Sequence, residues 1–345
     1  MIQTLTDVAV PTKRKRIETY DIARGIGILL MVMGHTGFGM DFSKIIHSFH
    51  MPLFFFVSGF FYRPHKYDGM LGYLVHEAKV LLVPYLIFAF FFEFLHYLFA
   101  GDWSLGYFLL SLVSSNHNRI DVAGALWFLL CLFTAKILYH ALSMSIKNVK
   151  IMALVIAPIS IVSSYLRDFG IMLPLALDTA MSCLLVIHVG YLLYHHKNKS
   201  WAQKLFNMPW LLFVAVAIIF IVTAMTNAHV VVRRNHYGML PLYFISCFSG
   251  IMLTINISSI LERCQNALCR FLCKILSYWG KESLVFLVLN ELYIYIVSLF
   301  FSKIGVVVFQ GNWLHGFSVL FTMISLSITA FLIAHTKLRY LFGKW

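Results

Sequence analysis

Windows of about 19 residues with few or no Lys, Arg, Asp and Glu recur along the chain, the length a helix needs to cross the hydrocarbon of a bilayer. Ten are found, near 22–40, 45–62, 80–100, 122–141, 150–166, 175–194, 209–227, 239–260, 282–301 and 316–335. The segments between them are sorted by charge. With the N-terminal segment placed inside, inner segments carry nineteen Lys and Arg and outer segments six, while Arg24 and Lys136 fall within spans. Basic residues gather on the cytoplasmic side of membrane proteins. The pattern therefore predicts an all-α polytopic transmembrane helix bundle of about ten spans with both termini cytoplasmic. Residues 1–19 read as a cytoplasmic tail and 20–340 as one transmembrane domain. No soluble domain is expected, because the longest other stretches are the outer loop near 101–121 and the inner loops near 63–79 and 261–281.

Composition agrees. Hydrophobic residues make up 60% of 345 and charged residues 12%, with a mean hydropathy of +0.82, which excludes a soluble protein. A net charge of +13 raises the question of nucleic acid. The basic residues, however, lie in short clusters between apolar runs and form no continuous face, so no nucleic-acid partner is expected. The six cysteines show no framework spacing, and the group Cys264, Cys269 and Cys273 in one basic loop is not expected to hold a metal. Lys13, Arg14, Lys15 and Arg16 precede the first span with no apolar core ahead of them. A retained tail is expected there, not a cleaved signal peptide.

The first span carries two residues that hydrocarbon tolerates poorly, Arg24 and His35. Eleven residues at about 100° each bring both to one helix face, about 16 Å apart along the axis. Arg24 falls near the entry side and His35 past the midplane. Asp21, three residues before Arg24, is placed to hold the guanidinium; an interfacial ion pair with Arg24 snorkelling is the plainer alternative. Gly25, Gly27, Gly34 and Gly37 punctuate the same helix and either admit a neighbouring backbone or leave room for a ligand. The second span begins with His47 and His50, the latter at a depth comparable with His35. Pro52 removes a backbone donor there and kinks the helix. Ser58 lies in nothing resembling a nucleophile elbow.

Further polar groups within spans are Glu93 and His96, Lys136, Asp178, His188 and Glu291. Glu93 and Glu291 rank highest as site candidates, since each is flanked by unbroken apolar residues and most needs an internal partner. Lys136 and Asp178 are expected near enough to span ends to reach water. Arg233, Arg234, Asn235 and His236 form a polar patch after the seventh span, against the charge trend.

Asp21-x-x-Arg24, Arg24-x10-His35 and His50-Met51-Pro52-Leu53-Phe54-Phe55-Phe56-Val57-Ser58-Gly59 together resemble the opening of the acyltransferase-3 family, integral membrane acyltransferases that include sugar O-acetyltransferases. Weaker matches follow in order at Lys79 to Tyr85, Leu126 to Leu129 and Gly280 to Leu284, so the resemblance covers nearly the whole chain. Two departures are visible. Lys79 is the one basic residue before Pro84-Tyr85, where the family often has several arginines, and Asn290 stands in the ninth span where the family often has histidine.

The resemblance implies transfer of an acetyl group from cytoplasmic acetyl-CoA to a hydroxyl of an extracytoplasmic saccharide or lipid-linked glycan, in the plasma membrane. His35 and Arg24 are then the catalytic candidates, Arg24 and Lys79 the donor-binding ones, with Asp21, His50, Glu93 and Glu291 in support. The residues suit that chemistry. A histidine with an unperturbed pKa of about 6.5 accepts a hydroxyl proton near neutral pH. A permanently charged arginine pairs with phosphate or with developing negative charge on oxygen. Whether His35 is base or is itself acylated stays open. The alternative from another class is a secondary transporter or lipid-linked glycan flippase using Arg24 and His35 as substrate and proton sites.

Overall fold

A computed structural model describes residues 18–101, 103–113, 125–303 and 314–345. All of its regular structure is helical among these residues. The chain forms α1 (Glu18–Gly34), α2 (Met40–His47), α3 (His50–Phe60), α4 (Gly69–Glu77), α5 (Val83–Ala100), α6 (Leu105–Val113), α7 (Trp127–Ser145) and α8 (Val149–Ser163). It continues through α9 (Leu177–His195), α10 (Ser200–Phe206), α11 (Trp210–Thr226), α12 (Leu240–Arg263), α13 (Ala267–Lys281), α14 (Ser283–Lys303) and α15 (Leu314–Ala334). A turn of π-helix, Ala78–Leu82, fuses α4 and α5 into one helix of 32 residues. The end of α1 that begins at Glu18 is called proximal below, and the end that finishes at Gly34 distal.

Each of the ten apolar windows falls on a helix, but the spans are fewer by length. Among the described residues six helices are long and apolar enough to cross a membrane: Gly69–Ala100, Trp127–Ser145, Pro174–His195, Leu240–Arg263, Ser283–Lys303 and His315–Ala334. The pair α10 and α11, bent by 69°, makes a seventh if it is one span. The windows left over fall on α1, with 17 residues, on α8, with 15, and on the broken pair α2 and α3. The break is chemical. Pro52 has no N–H for the Ser48 carbonyl and is best accommodated in the first turn of a helix. The chain therefore stops at His47 and restarts at His50.

The expected inner loop 261–281 is mostly α13, and it lies along α1 instead of in solvent. Two glycines permit this contact: a Cβ on Gly280 would sit 1.8 Å from the Asp21 carbonyl oxygen, and one on Gly25 2.0 Å from that of Leu276. A second crossing, α3 on α9, uses the same device, since a Cβ on Gly59 would sit 1.8 Å from the Ile187 carbonyl oxygen. Dispersion, the main attraction between helices in lipid, is gained by such close backbone approach. The two crossings hold α1 and α3, which carry the sequence candidates, against fixed walls.

Candidate functional site

A cavity of about 1010 Å³ opens between α1, α3, α4, α7, α9 and α14 on the proximal side. Its wall is rich in cations: Arg24, Arg63, Lys66, Lys136, Lys197, Lys281 and Lys344. Arg24 is held by Asp21, which is 2% exposed and one helical turn earlier. The i,i+3 spacing brings the two together, as the sequence implied. Lys136 does not reach water at a span end. It is paired at 2.5 Å with the buried Glu77, and Asp178 is likewise paired with Arg167 at 3.2 Å. A buried charge without a partner is costly, and Lys136 and Asp178 each recruit one. Lys344, from the C-terminal segment, pairs with Glu282.

The inner end of the cavity is apolar, formed by Phe54, Phe128, Leu129 and Leu287. Helical spacing puts His50 one turn, about 6 Å, beyond Phe54 on the same face of α3, and Glu291 one turn beyond Leu287 on the same face of α14. There the distal cluster begins. His35 follows Gly34 in the turn that ends α1, its N–H bonded to the Val32 carbonyl at 3.2 Å. Its Nε2 lies 3.8 Å from Glu291 Oε1. Its side chain is 40% exposed. Arg24 and His35 are thus at opposite ends of α1: Arg24 on the cavity wall and His35 beyond its apolar end.

Around His35 stand His47, His50 and, from the 227–239 loop, Arg233, with His229 of the same loop beside His47. The His47 ring lies 4.9 Å from that of His50 and 4.9 Å from that of His229. His50 donates from Nδ1 to the Ile46 carbonyl at 2.7 Å, and His47 from Nδ1 to the Ser43 carbonyl at 2.8 Å. A carbonyl only accepts, so both rings carry the proton on Nδ1 and leave Nε2 with its lone pair. Ser43 Oγ reaches His229 Nε2 at 2.9 Å. Burial, and then the charges of Lys44 and His236, hold His229 below the usual histidine range. It is therefore neutral at pH 7 and able to accept from Ser43. Gly34 keeps this arrangement close, because a Cβ there would sit 3.2 Å from His47 Cε1.

The remaining candidates lie elsewhere. Lys79 is exposed and outside the cavity wall, and its carbonyl accepts from Trp345 Nε1 at 3.2 Å. Glu93 is buried on α5, away from both regions, with no hydrogen-bond partner for Oε1 among the described residues. Asn290 is fully buried, donating to the Leu287 carbonyl at 2.6 Å, and its neighbour Glu291 is the residue that reaches His35. Ser58 lines the cavity. Among the described residues no group of three or more His, Cys, Asp and Glu side chains has metal-binding geometry.

Sequence reasoning did not single out Glu77, Ser43 or His229, nor the cavity roles of Arg63, Lys66, Lys197, Lys281 and Lys344. For Glu77 there was an indirect signal, since Lys136 within a span demands an acidic partner. The cavity cations were visible only as inner-side charges. Additional buried polar atoms without hydrogen-bond partners among the described residues occur on Arg233, Asn290, His315, Ser318 and Thr322. The last three are spaced i, i+3 and i+7, hence on one face of α15.

Chemically, the arrangement offers anion binding proximally and imidazole bases distally, separated by one helical turn of apolar side chains. No curated protein and no solved structure matches the chain. A family model described as an acyltransferase domain matches residues 17–332, nearly its whole length, and the protein therefore belongs to the acyltransferase-3 family of membrane acyltransferases.

Proposed function

We propose that the protein transfers an acyl group, in the simplest case acetyl, from acyl-CoA entering at the proximal, cytoplasmic side to a hydroxyl of a saccharide or lipid-linked glycan arriving at the distal side of the plasma membrane. The observation that carries this reading is the cation-lined cavity ending one helical turn short of the pair His35 and Glu291. An anionic donor suits the cavity, and its thioester arm needs only to pass Phe54 and Leu287 to meet an imidazole. His35 Nε2 takes the proton of the acceptor hydroxyl as its oxygen attacks the thioester carbonyl carbon. The carbon–sulfur bond breaks, the new ester bond forms, and the imidazolium returns the proton to the departing thiolate. Glu291, facing His35, stabilises that imidazolium. Arg24, fixed by Asp21, anchors the donor. The family match favours this enzyme over a transporter.

Labelled acetyl-CoA added to the proximal side of reconstituted protein tests the proposal. Label in a saccharide or glycolipid fraction that depends on His35 supports it. Transport of substrate with no acylated product overturns it.

A further inference from the structure

Resting on the acyl-CoA reading, we infer that the donor lies in one direction in the cavity, with its adenosine 3′-phosphate gripped by Arg63, Lys66 and Lys197 around Tyr194 and its thioester arm directed past Arg24 toward Phe54. The argument is one of charge matching. Three cavity cations already have carboxylates: Arg24 has Asp21, Lys136 has Glu77 and Lys344 has Glu282. The other four, Arg63, Lys66, Lys197 and Lys281, have no carboxylate within ion-pair distance among the described residues. Three of these four gather at one corner, where the chain leaves α3 and α9. The Arg63 guanidinium lies 3.4 Å from the centre of the Tyr194 ring, and Lys197 Nζ lies 4.0 Å from the same centre. Lys66 faces the adjoining Tyr67 ring at 5.7 Å.

Like charges brought this close without an acid repel one another, and the arrangement gains most when an anion joins them. Arg63 is preset for that anion. Its Nη1 is held by the carbonyls of Phe60 at 3.0 Å and Tyr62 at 2.6 Å, which leaves other guanidinium donors of the planar fork to face the cavity. A terminal phosphate monoester carries roughly −1.5 to −2 charge near pH 7 and presents three acceptor oxygens, more charge per phosphorus than either diester-like group of a pyrophosphate. The densest cations therefore suit the 3′-phosphate. Tyr67 beside them offers a ring face to the adenine. Lys281, across the cavity near Arg24, is left for the pyrophosphate.

The test compares donors that differ by that one group. Full-length protein in lipid nanodiscs is given acetyl-CoA or acetyl-dephospho-CoA. Acetyl-CoA is expected to win by roughly 10- to 100-fold in kcat/KM, the range for losing hydrogen bonds to a charged group. The double variant Arg63→Gln, Lys197→Gln should shrink that preference to less than about threefold, through KM. Lys147→Gln, an exposed lysine off the cavity wall, should keep it. A binding measurement needs no variant: adenosine 3′,5′-bisphosphate should displace bound acetyl-CoA at least about tenfold more effectively than adenosine 5′-monophosphate. Equal use of the two donors, equal displacement by the two nucleotides, or a preference that survives the double variant overturns the inference. If neither donor yields acylated product and neither binds, the acyl-CoA reading itself is overturned, an outcome distinct from equal use.

Discussion

The two ends of the site solve opposite problems with charged side chains. At the proximal end cations line an open cavity and, among the described residues, four of them lack a carboxylate partner, so their charge is available to a ligand. At the distal end His47 and His50 are tied to backbone carbonyls, so their protons are assigned, and His229 is bonded to Ser43. The contrast fits the division of labour proposed above. Binding a mobile polyanion rewards several long cations of unspent charge. Moving a single proton rewards a fixed tautomer and a fixed position. Between them lies one turn of Phe and Leu, thin enough for an arm to cross and apolar enough to keep phosphate out.

The sharpest way to break this comparison is His35→Gln. If the distal end supplies the base, acylation should fall by roughly 10²–10⁴-fold while acyl-CoA binding, a proximal property, is retained. Near-normal acylation in that variant would transfer the base role to His50. Gly280→Ala should act through the framework, since its Cβ has no room beside the Asp21 carbonyl. Overpacking typically costs about 1–3 kcal/mol, read as a lower unfolding midpoint of purified protein. Because α1 carries both Arg24 and His35, binding and turnover should fall together there, which would separate a framework defect from a defect at either end.

Arg24→Lys keeps the charge and loses the planar fork that pairs with phosphate or thioester oxygen. We expect roughly tenfold weaker use of acyl-CoA, the scale of about one charge-assisted hydrogen bond; kinetics equal to wild type would leave Arg24 as a point charge only. The smallest effect concerns pH. His229 is held below the usual histidine range, so the folded form gains from its neutrality above about pH 6.5, and that gain is lost as pH falls below this value. Acidification toward pH 5 should therefore loosen the 227–239 loop from α2, measured as lower amide protection there once the intrinsic pH dependence of exchange is divided out. His229→Gln should make that protection nearly independent of pH over the same range.

Much of this was legible along the chain, for a physical reason. A bilayer imposes length and hydropathy on each helix independently of its neighbours, so all ten apolar windows proved helical. The exclusion of charge from hydrocarbon made Arg24, His35, Lys136 and Glu291 conspicuous, and the i,i+3 pairing of Asp21 with Arg24 is a local property of one helix. What was not legible depended on packing. The sequence suggested one continuous second span, and the break at Ser48 and Phe49 makes it two short helices. A polar stretch read as loop became α13, whose hydrophobic side finds α1 only because Gly25 and Gly280 permit backbone contact.

By itself, then, the sequence determined a helical membrane protein, the order of its helices and the opening motif Asp21, Arg24, His35. Only the tertiary structure decided which partners those residues have. Glu77 meets Lys136 across 59 positions of chain, Ser43 meets His229 across 186, and Glu291 faces His35 from α14. Periodicity reports which face of a helix a residue occupies, but the partner on the facing helix depends on axial offset and rotation. These are set by where small residues let backbones touch, as Gly25 and Gly280 do for α1 on α13 and Gly59 does for α3 on α9. For the same reason Arg63, Lys66 and Lys197 read as scattered inner-side charges until the helix crossings gathered them around one cavity.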